Sequence, residues 1–97
     1  KDLKQTFIFI VTEFMNKGSL LDLLQENGNQ KINNQFSSNQ LLDFCQQACK
    51  GMIYLASENI IHRDLACRNL LVHQDQKNKN SSNFIVKIAD FGLSRVL

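Results

Sequence analysis

The chain has 97 residues and a near-balanced charge, 11 Lys and Arg against 9 Asp and Glu, for a net of +2. That length has room for one small domain, and the charge lacks the basic excess of a nucleic-acid footprint. The longest apolar run, residues 7–11, is far short of the roughly 20 residues a membrane span needs.

Residues 6–14 (TFIFIVTEF) are β-branched and aromatic without clear alternation, which predicts a strand covered on both faces. Asn16, Lys17, Gly18 and Ser19 break the run. Leu20, Leu21, Leu23 and Leu24 then repeat at three and four, predicting a short helix with Ser19 near its N-cap. Residues 27–36 are rich in Asn, Gln and Gly and read as a surface loop. Together 11 Asn and 9 Gln make up about a fifth of the chain, a bias that belongs mostly to loops.

The strongest helix signal begins at Ser37, where Ser37-x-x-Gln40 has the form of a capping box. Leu41, Leu42, Cys45, Ala48, Cys49, Met52, Ile53 and Ala56 follow at helical period, extending the helix to about Ser57. The three cysteines, Cys45, Cys49 and Cys67, form no C-x-x-C pair and suit a reducing compartment. Cys45 and Cys49 have a spacing that could point two thiols at a metal, but neither histidine is nearby, so they read as core residues. Ile60 and Ile61 suggest a short extended piece, and residues 70–72 another. Residues 74–83 form a low-complexity turn leading into a strand over residues 84–88. The fold class is α+β, with no internal repeat and no proline.

Residues 61–72 read IHRDLACRNLLV, and 26 residues after Asp64 comes Asp90 in ADFGLSR. Here the chain resembles a protein kinase, matching the H-R-D-L-x-x-x-N loop and the D-F-G element in order and context. Phosphoryl transfer is mostly positioning and charge neutralisation, so such a site needs oxygen donors for Mg²⁺ and an acid that orients the acceptor hydroxyl. The resemblance makes Asp64 the acceptor-orienting base, and Asn69 and Asp90 the Mg²⁺ ligands, with Asp90 also facing the nucleotide phosphates. It makes His62 a packed structural residue beneath Phe91, and Arg63 a receiver of an activation-loop phosphate; Gly92 completes the D-F-G element. Serine and threonine kinases usually carry Lys two residues after the catalytic Asp. Here that position is Ala66, and the cation is Arg68, as in the A-A-R form of tyrosine kinases, with Cys67 in place of the second Ala.

The segment FIVTEFMNKGSLLDLL resembles the hinge and following helix of cytoplasmic Src- and Abl-like tyrosine kinases. That likeness implies Thr12 as gatekeeper, the Glu13 carbonyl and Met15 amide against the adenine edge, Leu71 as pocket floor, and Ser19 and Asp22 near the ribose. The chain departs from the Src pattern H-R-D-L-R-A-A-N, having the Ala and Arg order of Abl, Tec and several receptor kinases. Its two Asn-rich stretches are also longer than usual, at a closure cost that grows only logarithmically.

The implied whole is a partial protein kinase-like fold, residues 1–97 running from hinge to D-F-G within a longer protein. Its substrates would be ATP and protein tyrosines, its metal Mg²⁺, and its location cytoplasmic, with any membrane association made through other regions. No Gly-rich loop, phosphate-binding strand Lys or partnering helix Glu occurs in these residues. By itself the chain is therefore expected to transfer no phosphate, and to aggregate or stay molten through its uncovered long-helix stripe. Other parts of its own domain would be its first partners. A pseudokinase acting as a binding scaffold is the alternative.

Overall fold

The computed structural model describes residues 12–31, 34–75 and 83–89, together with the backbone of 95–96. Helix α1 spans Leu20–Gly28 and helix α2 spans Ser38–Ser57; strands β1 (Ile60–Ile61), β2 (Leu70–Gln74), β3 (Phe84–Ile88) and β4 (Arg95–Val96) complete the order. The partial α+β character expected from the sequence is thus present, and α1 runs two residues into the stretch read as loop. The strand expected over residues 6–14 is not formed by 12–14, and 6–11 lie outside the described residues.

Each helix begins where its cap directs. The Ser19 hydroxyl accepts the Asp22 N–H (3.1 Å), satisfying an otherwise orphan donor of the first turn. At α2 the capping box is complete: Ser37 Oγ accepts the Gln40 N–H at 3.2 Å, and Gln40 Oε1 accepts the Ser37 N–H at 2.8 Å. Beyond α2, Asn59 takes φ 58°, the left-handed region that Asn tolerates better than most residues, and turns the chain into β1.

β2 and β3 form an antiparallel hairpin with Leu70 opposite Ile88, Val72 opposite Val86 and Gln74 opposite Phe84. β1 pairs with β4, Ile60 opposite Val96. Because side chains alternate along a strand, Leu70, Val72, Val86 and Ile88 share one hairpin face, and α1 and α2 cover it. The core is Leu20, Phe44, Leu70, Val72 and Val86, with Phe36, Phe84, Ala48 and others packed around it. Phe36, Phe44 and Phe84 meet pairwise edge to face, with centroids 5.2 to 5.7 Å apart. In the full-length protein, Phe44→Ala should lower unfolding free energy by about 3 kcal/mol or more, because it empties the centre of this trio. Denaturant titration of both proteins checks this, and a loss under about 1 kcal/mol would show that the trio carries little of the core energy.

The apolar stripe of α2 divides between two faces. Phe44, Ala48, Gly51 and Leu55 turn toward the hairpin, and an added Cβ at Gly51 would lie 2.7 Å from Ile88 Cδ1. A larger residue there would therefore have to displace the Ile88 side chain. Leu42 and Ile53 are 57% and 68% exposed, on the stripe expected to face water. The expectation of core cysteines is corrected: Cys45 and Cys49 lie on that same open face and are exposed, as is Cys67. Among the described residues no three His, Cys, Asp or Glu side chains gather to hold a metal, and no helix is long and apolar enough to cross a membrane.

Candidate active site

The chain between β1 and β2 is a tight loop whose shape comes from one left-handed residue and one buried imidazole. Arg63 has φ 75°, a conformation that costs a non-glycine residue about 1 kcal/mol and persists only where its surroundings enforce it. This turn brings the Asp64 N–H back onto His62 Nδ1 at 3.1 Å. Since Nδ1 accepts there, Nε2 carries the ring hydrogen and donates to the Ala89 carbonyl at 2.8 Å. His62 is 1% exposed, so the ring ties the loop to the segment just after β3 from within the protein.

Asp64 points its carboxylate at two donors. Arg68 Nη2 meets Oδ1 at 2.5 Å, and Asn69 Nδ2 meets Oδ2 at 3.1 Å and the Asp64 backbone carbonyl at 2.7 Å. A 3₁₀ turn over Cys67–Asn69, closed by Asn69 N–H to the Ala66 carbonyl at 2.9 Å, places Arg68 and Asn69 on the same side as Asp64. The ion pair is largely solvated, with Arg68 59% and Asp64 30% exposed, so it adds little to stability and matters as placement. A carboxylate has about four lone-pair sites, and these two contacts leave others open for an acceptor hydroxyl.

Asn69 is 5% exposed, and its amide nitrogen is committed to Asp64. Its Oδ1 bonds to no other described residue. A nearly buried carboxamide oxygen without a partner suits a hard, oxygen-seeking cation such as Mg²⁺. The Asn69 carbonyl in turn accepts the Ala89 N–H at 2.8 Å. Ala89 is thus gripped through both backbone groups, by Asn69 and by His62, one residue before Asp90. Asp90, Phe91 and Gly92 themselves lie outside the described residues.

The second group of expected residues precedes α1. Gly18 at φ 69° lets the segment fold against β2, where Lys17 N–H reaches the Val72 carbonyl at 3.0 Å and Val72 N–H reaches the Gly18 carbonyl at 2.8 Å. The Asn16 side chain extends this ladder, donating to the Gln74 carbonyl at 2.9 Å and accepting the Gln74 N–H at 2.8 Å. Ser19 forms a bridge with Leu71, so two residues expected at the nucleotide pocket are neighbours. Glu13 and Met15 border a cavity of about 250 Å³ over the outer face of the hairpin, with Phe14, His73, Ile85 and Lys87. Glu13 also pairs with Lys87, Nζ to Oε2 at 2.6 Å. Thr12 and Asp22 are exposed, and α1, which carries Asp22, packs against the 3₁₀ turn that follows Asp64.

Three contributors carried no motif signal. Ala89 acts through its backbone alone, Lys87 is an ordinary exposed strand residue, and Asn16 is one carboxamide among many.

Residues 2–97 match the family described as protein tyrosine and serine/threonine kinase. The chain is 49% identical over 88 residues to tyrosine-protein kinase Btk of Drosophila melanogaster, covering 91% of this chain and 10% of that protein. It is 47% identical over 91 residues to tyrosine-protein kinase SRK2 of Spongilla lacustris, covering 93% and 21%. To protein-tyrosine kinase 6 of Homo sapiens it is 42% identical over 90 residues, covering 93% and 17%. The chain thus spans between a tenth and about a fifth of the length of these relatives.

Proposed function

The chain belongs to the protein tyrosine and serine/threonine kinase family, and on that premise we propose that the protein carrying it is a non-receptor tyrosine kinase that transfers the γ-phosphate of ATP to protein tyrosines inside the cell. The observation that carries this reading is the Asp64 carboxylate held between Arg68 and Asn69, with lone pairs left for an acceptor hydroxyl.

The surroundings of Asp64, Arg68, Asn69 and His62 support a part for each, and the remaining roles follow from the resemblance. Asp64 accepts a hydrogen bond from the tyrosine hydroxyl, aligns its oxygen with the phosphorus and takes up the proton as the phosphate transfers. Arg68 keeps that carboxylate oriented and supplies positive charge beside the acceptor. Asn69 fixes the other carboxylate oxygen through Nδ2, and its Oδ1, together with Asp90, would hold Mg²⁺. Bound there, the metal would neutralise charge on the phosphates. Glu13 and Met15 would present a backbone carbonyl and N–H to the adenine edge, with Thr12 behind it and Leu71 beneath, while Ser19 and Asp22 would lie toward the ribose. His62 sets the loop's height against the D-F-G element, where Phe91 and Gly92 follow Asp90. Arg63, exposed at the turn, is available to a phosphorylated activation loop.

The full-length protein, incubated with Mg-ATP and a peptide offering Tyr, Ser or Thr at one position, should phosphorylate the Tyr peptide alone. Phosphate on Ser or Thr would overturn the acceptor class. ATP binding without transfer to any peptide would make the protein a scaffold instead.

A further inference from the structure

One polar side chain of α2 lies on the half-buried face of the helix and bonds to a strand through both its amide oxygen and its amide nitrogen. Gln47 Oε1 accepts the Val86 N–H at 2.8 Å, and Gln47 Nε2 donates to the Phe84 carbonyl at 2.8 Å. Its second Nε2 hydrogen reaches Asp43 Oδ2 at 2.9 Å, which holds the amide from within the same helix. The pairing of β3 explains why these groups are open to Gln47. Val72, opposite Val86, sends its own N–H and carbonyl to Gly18 and Lys17, so Val86 likewise directs its backbone away from β2. Gln47 therefore takes the place of a third strand along the outer edge of β3.

β3 has a further consequence, since it runs into Ala89, held by Asn69 and His62, and then directly into Asp90. We infer that Gln47 is a positioning residue: by clamping the outer edge of β3 it holds Ala89 against Asn69 and His62, and so keeps the Asn69 carboxamide set to take a divalent cation. This rests on the kinase reading above. Two backbone bonds to one rigid amide fix the strand along its axis as well as sideways, which apolar packing from Phe44 and Ala48 does not do.

The test uses the full-length protein with Gln47→Met, which keeps side-chain length and removes both polar atoms, and Gln47→Glu, which keeps the acceptor for Val86 and loses the donor for Phe84. Leu24→Ala, at the core margin on α1, serves as a control for loss of stability alone. With Gln47→Met, amide exchange in residues 84–89 should quicken about tenfold or more as the edge bonds are lost. The free Mg²⁺ for half-maximal transfer should rise about fivefold and kcat should fall about tenfold, with KM for the tyrosine peptide within about twofold. Gln47→Glu should shift exchange and Mg²⁺ requirement the same way by less, and it decides the matter if the Met variant does not fold. Leu24→Ala should lower Tm and leave the Mg²⁺ requirement alone. Wild-type exchange and Mg²⁺ requirement in either folded Gln47 variant would overturn the inference. If the unmodified protein transfers no phosphate, the kinase reading fails, and unchanged exchange in residues 84–89 would separately refute the clamp.

Discussion

Asp64→Asn in the full-length protein should lower kcat for tyrosine phosphorylation by about 10²–10⁴, the usual contribution of a positioned general base, while KM for ATP stays within about threefold. The geometry makes the loss more than a lost charge. Both carboxylate oxygens face donors, Arg68 Nη2 on one side and Asn69 Nδ2 on the other. A carboxamide at this position must turn its own NH₂ toward one of them, so one contact becomes donor against donor and the remaining oxygen is drawn away from the acceptor. ATP binding should be spared because the residues proposed for the adenine edge, Glu13 and Met15, belong to a segment joined to β2 through Lys17, Gly18 and Asn16 rather than through Asp64. Steady-state kinetics with a saturating peptide check this, and a rate within tenfold of the unmodified protein would remove Asp64 from the role of base.

Asp90→Asn should fail differently. The residue follows Ala89 in sequence, and the Ala89 N–H and carbonyl are both fixed to the Asp64 loop by Asn69 and His62. Replacing its charge removes a proposed metal ligand, and both affinity and turnover should fall: Mg-ATP binding by about tenfold or more and kcat by about 10²–10³, as for groups that meet transition-state charge. Raising Mg²⁺ should recover part of the activity here and none of it in Asp64→Asn. Titration calorimetry with Mg-ATP, beside kinetics at several Mg²⁺ concentrations, separates the two. Unchanged Mg-ATP affinity in Asp90→Asn would show that the metal is held elsewhere.

Much of this was legible in the sequence because local chemistry and tertiary structure agree. Ser37 and Gln40 announce the start of α2 and form the very bonds their spacing implies. Ser19 caps α1 for the same reason. The loop motif places Asp64, Arg68 and Asn69 within a few residues, so a single turn suffices to gather them. What was hidden depends on partners distant in sequence. The helical period of Leu41 to Ala56 marks a broad apolar surface without saying which side meets the hairpin. Phe44, Gly51 and Leu55 take that side, leaving Cys45 and Cys49 outside. Residues 12–14 have strand propensity but no strand partner among the described residues, and β structure exists only as a pair. Gln47 is one amide among 20 Asn and Gln residues; only the position of β3, 37 to 39 residues away, distinguishes it.

The central claim is that a tyrosine hydroxyl meets Asp64 beside Arg68. The most direct measurement is a crystal structure of the full-length protein with a non-hydrolysable ATP analogue, Mg²⁺ and a tyrosine peptide. The phenolic oxygen should lie about 2.6–3.2 Å from an Asp64 carboxylate oxygen, with Arg68 retained on Oδ1 and the metal on Asn69 Oδ1. A phenol bound away from Asp64, or Asp64 turned wholly onto Arg68 with no oxygen facing the acceptor, would contradict it.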